Sequence, residues 1–238
     1  MDFELDESQR KLQEKGAELG VRCRGVTPAV AGEDWRKANA KEHLRSAGIT
    51  GAAIFLDAYA ASRGNLRAAR SHADDVIAKS PDILEAVLLA GGLQGLLLEA
   101  VENVKLPPEL RNDGFPTEKD PDVRRALADA KTQSLLARNL ALRAAWVIDA
   151  GTPTGDVASA PAHALAMACD AVLKTWAPLS RLIIGEEAYG MIEADLFRVA
   201  AKKRPEAFAA VATRLVGERA RREGTGTAET AADRKGTL

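Results

Sequence analysis

The chain has little that could staple it covalently or through a metal. Its 238 residues include two cysteines, Cys23 and Cys169, too few and too far apart for a disulfide framework or a zinc site. Both read as small buried apolar residues. The three histidines, His43, His72 and His163, have no Asp, Glu or Cys at ligand spacing, so they suggest neither a metal site nor a catalytic triad. Aromatic residues make up 4% of the chain against 46% hydrophobic residues overall, which implies a core of Ala, Leu and Val packed helix on helix. A formal net charge of −1 gives no reason to expect nucleic acid or an anionic membrane as partner. No phosphate-cradling glycine loop is present, and no period-two strand pattern of useful length appears. Met1 leads directly into acidic, amphipathic sequence without the basic and apolar regions of a signal peptide. The most apolar stretch, Ile83 to Val101, holds Glu85, Gln94 and Glu99. Acidic groups are costly in a bilayer core, so this stretch reads as a buried helix and the expected location is cytoplasmic.

What is present is helical periodicity. The length suits one large helical domain or two small ones. Asp6-Glu-Ser-Gln9 has the form of a capping box, and Leu12, Gly16, Leu19 and Cys23 then follow at helical spacing. Gly25 to Gly32, with Pro28, breaks that helix. A second helix is predicted from about Asp34 to Ala47, with Trp35, Ala38 and Leu44 inward and Gly48 ending it. Asn65 to Ala78 fits a further helix. Ser80 or Asp82 can cap the next one, with Pro81 in its first turn, and it runs towards Val104. Residues 105–121 form the one clear internal loop, rich in proline and containing Asn112-Asp113-Gly114. Pro121 opens a long helix to Asp149 with Leu127, Ala130, Ala137, Leu140, Ala144 and Val147 near one face. Gly151 to Gly155 is a turn. Ser159 and Pro161 start a helix carrying Leu165, Cys169, Val172, Trp176, Leu179 and Ile183, with a kink or break expected at Pro178. Pro205 to Arg222 reads as a last helix with Phe208, Val211, Leu215 and Val216 inward, and 223–238 as a disordered tail.

Two segments resemble a known family. Met1-Asp-Phe-Glu-Leu-Asp-Glu-Ser-Gln-Arg10, followed by Leu44-Arg-Ser-Ala-Gly-Ile-Thr-Gly51, resembles the opening of an acyl-CoA dehydrogenase. Ala144-Ala-Trp-Val-Ile-Asp-Ala-Gly151, with the small-residue helix ending Leu182-Ile-Ile-Gly185, resembles that family's C-terminal helical domain. Phe55-Leu-Asp-Ala-Tyr59 weakly resembles the family's turn after its early helices. The resemblance covers about residues 1–51 and 122–200. It implies an all-α helical bundle made of the family's N- and C-terminal helical domains, without the β-barrel domain that family members carry between them. The expected organisation is an N-terminal helical region at 1–104, the loop at 105–121, a C-terminal helical domain at 122–222 and the tail.

The resemblance also implies where chemistry would sit. The family's glutamate removes the α-proton of an acyl thioester while hydride leaves the β-carbon for flavin N5. Matching Leu196-Phe-Arg-Val-Ala200 to the family pattern places Gly190 at the usual glutamate position, with Glu186, Glu187 and Glu193 as the carboxylates of that loop. A minority arrangement instead resembles Ile83-Leu-Glu-Ala-Val-Leu-Leu-Ala-Gly-Gly92, which would make Glu85 the base, although the same stretch also fits a helix of the N-terminal domain. Arg111 and Phe115 resemble parts of the family's flavin-phosphate signature in altered order, and Lys202-Lys-Arg-Pro205 stands where a further flavin segment would be. The implied cofactor is FAD, expected to bind weakly or not at all. The leading expectation is a degenerate member that binds an acyl thioester, or associates as a homo-oligomer or with a complete dehydrogenase. The alternatives are a minimal flavin-dependent dehydrogenase, a non-redox enzyme acting on an acyl chain with Glu85 or Glu187 as base, and a helical interaction scaffold.

Overall fold

The computed structural model describes residues 5–22, 44–61, 80–110, 114–151, 159–183 and 187–233, with the backbone alone at 108, 187–194, 218 and 220–233. Among these residues 88% are helical and none is in a strand. The all-α class follows from the sequence as expected. In chain order the helices are α1 Glu7–Arg22, α2 Gly48–Ala61, α3 Pro81–Val104, α4 Pro121–Asp149, α5 Ala160–Ser180 and α6 Glu187–Asp233. A 3-10 turn, Pro108–Leu110, lies in the link between α3 and α4.

The starts of α1 and α4 are set by local caps. At α1 the capping box forms in both directions: the Gln9 amide donates to the Asp6 carboxylate (2.8 Å) and the Asp6 amide to the Gln9 side chain (3.0 Å). Asp120 caps α4 by accepting from the Asp122 amide at 2.9 Å, with Pro121 in the first turn where its missing N–H is harmless. Ser80 precedes α3 without a side-chain cap, so there Pro81 is the main start signal. Gly48 takes φ +73° at the break between the turn of helix at 44–46 and α2, a backbone that only glycine adopts cheaply.

The helices stack in sequence. α1 packs on α2, α2 on α3 and α4, these on α5, and α5 on α6. One cluster of buried apolar side chains runs from Leu12 to Ala207. α2 is buried at every residue from Thr50 to Ala60, as expected of a helix apolar on all sides. Its Phe55 and Tyr59 are among the largest fully buried side chains, each stabilising the fold by about 1.5–3 kcal/mol. Close crossings rest on glycine. A Cβ at Gly16 would lie 2.7 Å from the Phe55 carbonyl oxygen, and one at Gly91 would lie 2.5 Å from the Ala60 Cβ. α3 is the one helix among the described residues long and apolar enough to cross a membrane, and 72% of that window is buried inside the molecule.

Several expectations are corrected. Phe55 to Tyr59 is not a turn but the middle of α2, because every residue there is apolar or paired and the core takes all faces. α5 continues through Pro178 to Ser180, so the helix does not break at that proline. α6 is continuous through Pro205 rather than starting there. Its Phe208, Leu215 and Val216 are 40%, 56% and 70% exposed, so they do not face the core. The stretch 223–233, expected as part of a disordered tail, has helical backbone, which suits the good helix formers Ala228, Glu229, Ala231 and Ala232. The predicted helices at 34–43 and 65–78 and the turn at 152–155 lie outside the described residues.

Candidate functional site

The one sequence-predicted acid with a described side chain is Glu85. It sits in the second turn of α3, half-buried, on a helix packed against α5. Its carboxylate lies close enough to act on Cys169 of α5, whose thiol is pushed up to about 12 by burial first and by Glu85 second. Lys203 and Arg204 of α6 oppose that shift, so they border the same region. Asp170, next to Cys169, accepts from Arg204 through Nη2 at 3.0 Å and Nε at 3.1 Å and pairs with Lys174. Hydrogen bonding from Lys174, then from Arg204, holds the Asp170 carboxyl below the usual range.

Acids and bases of three helices therefore meet around the start of α3. Chemically this arrangement ties α6 to α5 and neutralises charge. A carboxylate base for proton abstraction needs an open, dry approach to its substrate. One groove of the described residues lies on α1, lined by Ala17, Glu18, Val21 and Arg22.

Of the remaining predicted residues, Lys203 and Arg204 are brought to the region of Glu85 and Cys169. Glu187 is the first residue of α6, and Gly190 and Glu193 follow in its helical backbone, so the expected loop is a helix from 187 onward. Glu186 and Arg111 lie outside the described residues. Phe115 is partly buried and packs against the core. Lys202, Lys203 and Arg204 belong to α6 rather than to a basic turn: Lys202 is exposed, Lys203 pairs with Glu206 at 3.6 Å, and Arg204 reaches Asp170. The His163 ring meets the Ser159 carbonyl at 3.2 Å. Among the described residues no group of three or more His, Cys, Asp or Glu could hold a metal.

Two polar constellations escaped the sequence. Asp57, 3% exposed in the middle of α2, pairs with Arg138 of α4 through Nε. Its other carboxylate oxygen has no partner among the described residues, and burial, which raises its pKa, outweighs Arg138, which lowers it. Asp149, the last residue of α4, accepts from the amides of Ile49 (3.1 Å) and Thr50 (2.7 Å) and so caps α2. Each left a trace. Asp57 is the one charge in the apolar run of α2, and Asp149 is an acid at a helix C-terminus, where the dipole disfavours it.

Comparison with protein-family models, with characterised proteins and with solved structures finds no match for this chain.

Proposed function

We propose that this chain is a helical relative of the acyl-CoA dehydrogenases that does not carry out flavin desaturation. It works by association, with a complete dehydrogenase or with a second copy of itself. The observation that supports this is the direct packing of α2 on α4, and of α3 on α4 and α5, across the short 105–120 link. A β domain inserted there would form a wall over the flavin; here the helices on both sides of the link close on one another instead. Without that wall a flavin ring would lie open to water and lose the burial that makes cofactor binding tight. An acyl thioester remains a candidate ligand of the helical surface.

One feature favours an active-enzyme reading: Glu85 is half-buried on a helix fixed by packing, as a positioned base should be. The two readings separate in a dye-linked assay across acyl-CoA lengths. Desaturation that disappears in Glu85→Gln supports the enzyme with Glu85 as base. Desaturation that survives Glu85→Gln and disappears in Glu187→Gln moves the base to Glu187. No turnover by the wild-type chain, with wild-type folding retained in Glu85→Gln, supports the association reading.

A further inference from the structure

α6 carries a second stripe that its own bundle uses only at Phe197 and Arg204, which meet Trp176 and Asp170 of α5. Leu196, Ala200 and Ala207 face the core and are buried. About a quarter-turn away, Phe197, Ala201, Arg204, Phe208, Ala212 and Leu215 recur in steps of three and four, so they share one helix face. Phe197, Phe208 and Leu215 are 37%, 40% and 56% exposed, and Ala201, Arg204 and Ala212 are exposed as well. The stripe is ordered along its length: Phe197 packs on Trp176 with ring centroids 4.7 Å apart, and the Arg204 guanidinium lies 4.8 Å from the centre of the Phe208 ring. α6 has 47 residues against 21 for α5, or about 70 Å against about 30 Å of helix. It outruns the helix it packs on, and every residue from Ala212 to Gly217 is exposed.

Charge selects the occupant. Between Phe197 and Arg222 the sequence has eight Lys and Arg and two Glu, in a chain whose net charge is −1. A second copy pairing antiparallel with Phe208 against Leu215 would set Arg204 opposite Arg219, and a parallel pair would set each arginine against itself. Like charges so placed repel. The alternation of Phe and Leu with Ala also favours a helix, whose side chains fill the gaps above Ala201 and Ala212, over a lipid surface, which rewards large apolar residues throughout.

We propose that the exposed stripe of α6 is a docking surface for an acidic amphipathic helix of another protein. This deepens the association reading above and rests on it. The full chain is titrated with a labelled designed peptide of about three heptads, Leu on its seam and Glu on its flanks. A Lys-flanked counterpart and vesicles of phosphatidylcholine with phosphatidylglycerol are tested alongside.

The Glu-flanked peptide should bind saturably, at least about tenfold more weakly in Phe208→Asp/Leu215→Asp and at high salt, while the Lys-flanked peptide does not bind. Circular dichroism should show wild-type melting for that variant, since both side chains are exposed. Lys202→Glu/Arg219→Glu should shift preference towards the Lys-flanked peptide. Failure of the Glu-flanked peptide to bind, equal binding of both peptides, binding unaffected by the Asp pair, or sedimentation with the vesicles overturns the proposal. A dimer by light scattering that dissociates in Leu215→Asp makes a second copy the occupant; it overturns the acidic partner and leaves the association reading standing. Acyl-CoA turnover that needs Glu85 does the reverse for the function, and leaves the peptide result to be judged by itself.

Discussion

A buried charge at a single position governs much of the local energetics. Asp57 has one partner for two oxygens, and burial raises its pKa above the ordinary 3.8 despite Arg138. Arg138→Met should destabilise the chain by about 3–5 kcal/mol, because the acid is left buried and unpaired, while Asp57→Leu/Arg138→Met should recover most of that. The pH sign follows from the raised value. A carboxyl whose folded-state pKa lies above its unfolded one favours folding most when protonated, and that contribution is lost as pH rises through the folded value. Removing Arg138 raises it further, so urea titrations should show a larger penalty at about pH 8 than at about pH 4. An equal penalty at both would mean that Asp57 is not the cause. Asp149→Ala should cost about 1–2 kcal/mol through the lost cap of α2, read as a lower melting temperature. Cys169, with its thiol pushed up to about 12, should resist alkylation in the folded chain and react only after unfolding, as peptide mapping would show. Capping residues were legible because their partners lie within three positions, as Asp6 and Gln9 do. Asp57 with Arg138 and Asp149 with α2 were not, since each joins residues far apart in sequence.

At the level of helices, periodicity held where one face is wet. The stripes Leu12, Gly16 and Leu19 in α1 and Leu165, Cys169, Val172 and Leu179 in α5 are buried as predicted. It failed where a helix has no wet face, as in α2, or two apolar ones, as in α6. There the larger residues Phe208 and Leu215 were assigned to the core, while Ala207 is the buried one. Helix crossings give a graded test. Gly16→Ala and Gly91→Ala push a methyl against fixed neighbours, the Phe55 carbonyl at 2.7 Å and the Ala60 Cβ at 2.5 Å, and each should cost about 1–3 kcal/mol. Gly92→Ala meets the flexible end of Leu196 at 2.6 Å and should cost less. Thermal melts that rank Gly92→Ala as the worst would contradict these crossings.

Across the whole molecule, the all-α class was legible from the missing strand pattern and the run of capped apolar segments. The surroundings of Glu85 were not. Glu85 came to rest among Cys169, Asp170, Lys203 and Arg204, partners drawn from two other helices that no local motif announces. Helices on either side of the 105–120 link pack on each other, and we propose that no flavin is held there. The direct test is the visible absorbance of the purified chain after incubation with FAD and gel filtration. The account predicts a colourless protein with free FAD in the late fractions; one flavin retained per chain would contradict it.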